Sequence, residues 1–253
     1  MVASVMLSDD DLERYSRQLL LPAFDLAGQE ALGRARVLIL GLGGLGSPAA
    51  LYLAAAGVGS LVLVDGDAVE PSNLQRQLAH GEADLGRNKA RSAADAVAAL
   101  NAAARVEVVA ERADEARLQQ LAGRVDLALD GSDNYPARFA LNRACLAAGI
   151  PLVAAAAVRT EGQLATFHPA AGGPCYRCLV PEEGATSALS CSESGVLGPV
   201  VGTLGSLAAL EALKVLAGYG GDLRGAVLTL DLFNYQIRRL DLAPRPDCPD
   251  CGR

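Results

Sequence analysis

The run Val37-Leu38-Ile39-Leu40, followed at once by Gly41-Leu-Gly-Gly-Leu-Gly46 and then by the small, apolar stretch from Ser47 to Ala56, constrains the fold of this 253-residue chain most. Consecutive aliphatics with no polar alternation suit a strand buried on both faces. Gly41, Gly43 and Gly46 satisfy G-x-G-x-x-G between a strand and a helix, the context that gives the pattern physical meaning. Leu61 to Val64 makes the next strand and ends at Asp65, closing one βαβ unit. Glycines let backbone approach a phosphate, and the helix N-terminus favours the anion. Asp65, 24 residues beyond Gly41, is placed to accept hydrogen bonds from ribose hydroxyls. The competing reading is a tight strand-to-helix turn with no ligand.

Further units come after it. Helices are expected near Lys89 to Leu100, Asp114 to Leu121 and Asn134 to Ala148, with strands near Val106 to Val109, Val125 to Leu129 and Leu152 to Ala156. The fold class expected is α/β: a Rossmann-like, mostly parallel sheet with helices on both faces, extended by antiparallel strands. Beyond Gly162 the pattern changes to extended segments, glycine and paired cysteines. A helix from about Val201 to Leu216 precedes a terminal hairpin of Ala226 to Asp231 and Tyr235 to Leu240, whose pairing the sequence leaves open. At the other end, Ser8 and the acids after it mark a helix start, with the helix itself from Asp11 to about Leu20 and a second from Asp25 to Gly33.

Charge excludes one class of partner. The net charge is −7 and the basic residues are scattered, so no nucleic-acid surface is expected. From Val37 to Val64 no residue is charged, but six glycines and Pro48 divide the run into strand, loop, helix and strand, and no membrane span is expected. The opening MVASVMLSDDD lacks a leader's basic start and apolar length, which points to the cytoplasm.

The residues after Asp65 separate a mononucleotide from a dinucleotide. Asp67, Asn73, Arg76 and Gln77 cluster just past a strand end, and Lys89 comes next. A hydride-transfer enzyme needs few cations there, whereas a triphosphate needs several. Asp130-Gly-Ser-Asp133-Asn134 ends the fourth expected strand, on the same rim as the glycine loop. A carboxylate beside a triphosphate suits Mg²⁺; the alternative is that Asp133, before a helix, is only its cap.

Cys175-Tyr-Arg-Cys178 and Cys248-Pro-Asp-Cys251 are two C-x-x-C pairs with sixty-nine residues between them. Each can clamp one edge of a tetrahedral zinc, tying the C-terminus back to the second half of the chain; redox use is the alternative. Cys145 reads as a packed core thiol. Cys191, in ALSCSESGVLGPV, sits in a polar segment where a thiol could react or could have no chemistry. His80 and His168 have no partner at ligand spacing and carry no expected role.

RYSRQ at Arg14 to Gln18, GLGGLG, the VDGD acids, NLQRQ at Asn73 to Gln77, Lys89, DGSDN, both cysteine pairs and GSLAALEALKVLAG occur in this order over essentially the whole chain. In this the sequence resembles the MoeB/ThiF family, relatives of the ubiquitin-activating enzymes. The resemblance implies ATP, Mg²⁺ and structural zinc, and a single adenylation unit with a nucleotide-binding half over about residues 1–158 and a carrier-binding, zinc-holding half over about 159–253. It implies a nucleotide site of Gly41, Gly43, Gly44, Gly46, Asp65, Asp67, Asn73, Arg76, Gln77, Lys89, Asp133 and Asn134, with Asp65 on the ribose, Arg76 and Lys89 on the phosphates and Asp133 on Mg²⁺. The set expected to carry catalysis is Arg14, Arg76, Lys89, Asp133 and Cys191, with Arg14 supplied across a homodimer. The activity implied is ATP-dependent adenylylation of the C-terminal glycine carboxylate of a small ubiquitin-like sulfur-carrier protein ending in Gly-Gly, a molybdopterin-type carrier being favoured. The chain ends at Arg253 with no sulfurtransferase segment, so a separate protein is expected to donate sulfur. The alternatives are a nicotinamide-dependent oxidoreductase and a zinc-containing, carrier-binding scaffold without activity.

Overall fold

The computed structural model describes residues 7–181 and 195–252. Ser8 caps the first helix: its Oγ accepts from the Asp11 amide at 3.2 Å while Asp11 Oδ2 accepts from the Ser8 amide at 3.1 Å. The single helix expected from Asp11 to Leu20 is instead two, α1 (Asp9–Arg14) and α2 (Ser16–Leu19). The break falls at Tyr15, which is buried between two exposed segments and whose hydroxyl accepts from Asn101 Nδ2 at 3.1 Å. Anchoring that ring outweighs the gain from continuing the helix. Next come α3 (Asp25–Arg34), β1 (Arg36–Leu40), α4 (Gly46–Ala55), β2 (Ser60–Val64), α5 (Lys89–Leu100), β3 (Arg105–Val109), α6 (Glu115–Ala122), β4 (Leu127–Asp130) and α7 (Tyr135–Ala148). The second half contributes β5 (Leu152–Val158), β6 (Glu161–Phe167), α8 (Tyr176–Leu179), α9 (Gly198–Ala217), β7 (Ala226–Asp231) and β8 (Gln236–Asp241).

One eight-stranded sheet runs through both halves in the order β3-β2-β1-β4-β5-β6-β7-β8. The first five strands are parallel and the last three antiparallel. The strand period of two sorts the aliphatics. Val37, Ile39, Leu61, Leu63, Leu127 and Leu129 pack with Leu53 of α4, Val97 of α5 and Leu204 of α9. Leu38, Leu40, Val62 and Val64 pack with Leu118 of α6 and Phe139 of α7 on the other face. Helices therefore cover both faces, which is why these strands read as unbroken apolar runs.

The terminal hairpin pairs β7 with β6 on one side and β8 on the other. Tyr235 is not its first strand residue: with φ of 55° it belongs to the turn, and the strand begins at Gln236. Among the described residues, the one helix long and apolar enough to cross a bilayer is α9, not the run from Val37 to Val64. It lies in the core, with Glu211 buried and accepting from Thr166 Oγ1 at 2.7 Å.

The strand order reverses between β1 and β4. After β1 the chain runs outward to β2 and β3, then returns to β4 on β1's other side, opening a crevice at the carboxyl ends of β1 and β4.

Candidate functional site

The crevice holds a cavity of about 800 Å³, within the range of small-molecule sites. Its floor is the glycine loop. Gly41 has φ of +84°, and a Cβ at Gly46 would come within 1.8 Å of the Gly41 carbonyl oxygen, so the loop folds on itself in a way a side chain at Gly46 would forbid. Gly131, just past β4, meets the same backbone: a Cβ there would lie 2.9 Å from the Gly41 oxygen and the Gly46 nitrogen. Loops from two strands thus touch through glycine, which brings Ser132 and Asp133 to the rim of the glycine loop.

Asp65 holds this floor. One carboxylate oxygen accepts from the Leu42 amide and the other from the Asp67 amide, both at 2.8 Å. Burial raises its pKa, opposed by those two amides and by the Lys89 charge. Each oxygen keeps a lone pair for a further donor. Lys89 opens α5, whose N-cap Asn88 reaches back to the Asp65 and Asp67 carbonyls at 2.8 and 3.2 Å. Its ammonium, on a largely buried side chain, lies 3.4 Å from Asp67 Oδ2, and Arg112 lies 3.0 Å from the other oxygen. Although burial acts the other way, Arg112 and Lys89 together hold the Asp67 carboxyl below its ordinary range. Asp67 is therefore occupied in orienting two cations that border the cavity.

Arg76 lines the cavity, one guanidinium nitrogen donating to the Ser72 carbonyl at 2.7 Å. Gln77 also lines it; its side chain is buried and Oε1 has no hydrogen-bond partner among the described residues. On the β4 side, buried Asp130 accepts from the Ser132 amide at 2.9 Å and from Ser132 Oγ at 2.6 Å. Arg138 donates to the Ser132 carbonyl at 2.5 Å and to the Ala155 carbonyl at 3.2 Å. The α7 cap is Asn134, whose Oδ1 accepts from the Ala137 amide at 3.0 Å. Asp133 is thereby not the cap; it is exposed and lines the cavity.

Of the residues singled out from the sequence, Gly41, Gly43, Gly44, Asp65, Asp67, Arg76, Gln77, Lys89, Asp133 and Asn134 line this one cavity. Gly46 lies beneath it. Asn73 is not on the wall: it is buried in its own turn, accepting from the Glu70 amide at 3.1 Å. Arg14 is not on the wall of its own chain either, and donates to the Leu100 carbonyl at 3.3 Å. Cys191 lies outside the described residues. Sequence reasoning missed Arg112, whose signal was its position three residues past the end of a parallel strand, and the clamp Arg138, for which there was no local signal.

The two cysteine pairs meet. Cys175 and Cys178 are 4.0 Å apart at sulfur, Cys175 and Cys248 3.6 Å, and Cys178 and Cys251 3.4 Å, all four sulfurs lying within 4.8 Å of one another. Four thiolates around a tetrahedral zinc have sulfurs about 3.8 Å apart, from Zn–S bonds of about 2.3 Å. The cluster fits that ion. Outside it, Asp250 bridges Arg177 at 2.9 Å and Asn142 of α7 at 3.0 Å, fastening the C-terminal pair to the body of the fold. Cys145 is buried in α7, as expected of a core thiol.

The ThiF family's model matches residues 15–250. The chain belongs to the ThiF family. Over 98% of its length it is 47% identical to molybdopterin-synthase adenylyltransferase of Escherichia coli, 99% of which is covered. It is 49% identical to adenylyltransferase and sulfurtransferase MOCS3 of Sus scrofa over 97% of this chain, which spans 54% of that longer protein. Among solved structures, that of E. coli MccB with ATP superposes with a TM-score of 0.82 at 25% identity, covering 94% of this chain and 74% of that one.

Proposed function

We propose that this ThiF-family chain is an ATP-dependent adenylyltransferase acting on the C-terminal glycine carboxylate of a small ubiquitin-like sulfur carrier. The observation that carries the reading is the cavity itself: a glycine loop, the cations Arg76, Lys89 and Arg112, and the exposed carboxylate of Asp133 share one rim. The relatives' names support it. Asp133 would hold Mg²⁺, and the four cysteines zinc, whose chemistry is to close and brace the fold. A second cavity of about 410 Å³ lies over the β5 to β8 surface and starts at Tyr135, two residues from Asp133. An extended Gly-Gly tail lying there would present its carboxylate to the nucleotide.

The glycine carboxylate is an anion at neutral pH and needs no general base. One of its oxygens bonds to the α-phosphorus, the bond from that phosphorus to the bridging oxygen breaks, and pyrophosphate leaves with that electron pair. The site's task is to bring an anion to a polyanion and hold it in line. No thiol takes part, so Cys191 is outside this step. Transfer of sulfur to the adenylate falls to a separate donor, and the 47% identity to the molybdopterin-type relative favours that class of carrier. The unpaired thiols of the cluster suit a reducing compartment such as the cytoplasm.

The test is exchange of labelled pyrophosphate into ATP, with a molybdopterin-type carrier as the adenylyl acceptor. Exchange should appear with the intact carrier and vanish when its last glycine is removed. NAD binding at lower concentration than MgATP, or carrier binding without exchange, would replace this reading with an oxidoreductase or an inactive scaffold.

Arg14 faces away from its own cavity, and we propose that it serves the partner's site in a homodimer. Arg14→Ala should be inactive. Mixing it with an inactive Asp133→Ala protein should restore up to about a quarter of the activity, since random pairing leaves one intact composite site in half of the dimers. No recovery after proven subunit exchange would exclude a shared site.

A further inference from the structure

His80 is a buried titratable group that adenylylation does not use, and its two ring nitrogens are both engaged. Nε2 lies 3.0 Å from the Leu42 carbonyl oxygen and Nδ1 2.8 Å from Ser92 Oγ. A carbonyl can only accept, so Nε2 carries the proton and Nδ1 accepts from the serine hydroxyl. Burial disfavours the charged ring and, with the nearby Lys89, outweighs the Leu42 carbonyl and the charges of Asp84 and Asp65, which favour it.

The residue it grips lies within the glycine loop. Leu42, between Gly41 and Gly43, donates its amide to Asp65 at 2.8 Å, so its N–H is held by a side chain from the end of β2 and its C=O by His80. Ser92 lies one turn beyond Lys89 on α5. The amide of His80 itself donates to the Gln77 carbonyl at 3.0 Å, in the turn that carries Arg76. His80 therefore joins three elements: its imidazole ties the glycine loop to the Lys89 helix, and its backbone amide ties it to the Arg76 turn. A loop with four glycines in six residues has much backbone freedom to lose on ordering, and fixing the Leu42 backbone beforehand reduces what a nucleotide must supply.

We propose that His80 is a positioning residue for nucleotide binding: it locks the Leu42 peptide against Asp65 and sets the glycine loop relative to Lys89. The proposal rests on the assignment of the cavity to ATP. It concerns the affinity for MgATP and leaves the chemical step to other residues.

The experiment compares wild type, His80→Phe and His80→Gln by MgATP titration and by the KM and kcat of pyrophosphate exchange. Phenylalanine keeps the volume and loses both bonds; glutamine can still donate to the Leu42 carbonyl and accept from Ser92. His80→Phe should raise Kd and KM for ATP about tenfold with kcat changed less than about threefold, and His80→Gln should recover most of the loss. Unchanged ATP affinity in folded His80→Phe would overturn the proposal. So would a glutamine variant as weak as the phenylalanine one, because packing alone would then explain the effect. Should His80→Phe fail to fold, Ser92→Ala, which leaves the imidazole in place and removes the partner at Nδ1 together with a contact to Asp84, should raise KM severalfold, and a wild-type KM there would also overturn it. A wild type that binds no MgATP would instead refute the nucleotide assignment, so the two failures are distinct.

Discussion

Asp133→Ala should lower pyrophosphate exchange by about 10²–10³-fold, the scale seen when one preorganised electrostatic contact to a reacting centre is removed. Its melting temperature should stay within about 2 °C of wild type, because an exposed side chain away from structural contacts contributes little to stability. The carboxylate lines the cavity, and its one described contact is a long 3.5 Å approach from Asn134 Nδ2. Asp130, three residues earlier, is the internal control. It is fully buried and satisfies both the amide and the hydroxyl of Ser132, so Asp130→Ala leaves two buried donors without an acceptor, at a cost of about 1–3 kcal/mol for each. The first variant should lose activity at constant stability, and the second should lose both. Calorimetry and exchange at saturating Mg²⁺ on the same two proteins separate the roles. Asp133→Ala with exchange within threefold of wild type would remove that carboxylate from the metal site.

This division between the two aspartates was only half legible in the sequence. DGSDN at a strand end placed both on the nucleotide rim, but which one faces the cavity depends on the pleat of β4 and on Asn134 taking the cap. The strand-loop-helix at Val37 to Ala56 was readable because sterics leave glycine few substitutes where Gly46 meets the Gly41 carbonyl. α5 was readable to the residue, since Asn88 caps it and its apolar face repeats at helical spacing. What escaped were contacts made between elements. Tyr15 breaks the N-terminal helix because its ring is needed in the core, Arg112 matters because β3 ends beside β2, and His80 matters because Leu42 and Ser92 converge on it in space. A side chain whose partners lie 12 and 38 residues away in different elements leaves no period to detect. The cysteine pairs are the opposite case, where local spacing carried the chemistry although the pairs lie far apart in the chain.

Metal removal should produce the largest change in stability. Cys175 and Cys248 are 73 residues apart, as are Cys178 and Cys251, so a zinc held by all four closes a loop of about 70 residues. If it acts on the unfolded chain as a covalent cross-link does, the loop-closure term is about 4 kcal/mol. For a chain of this size that corresponds to a fall in melting temperature of about 8–16 °C. The salt bridge from Asp250 to Arg177 and its bond from Asn142 oppose the release of the C-terminal pair, but they are closed by the same tail that the metal holds. Loss of zinc should therefore loosen both together. Freshly purified, reduced protein should contain about one zinc per chain, and chelation or Cys248→Ser should give this drop. The glycine loop lies at the carboxyl ends of β1 and β4, built from residues that do not touch the cluster, so apo protein held well below its melting temperature should still bind MgATP. Metal-free protein that melts with the zinc-loaded form would show that the cluster does not strap the fold. Loss of MgATP binding in folded apo protein would show that the two sites are coupled through α7, which carries Asn142 at its middle and the Asp133 loop at its start.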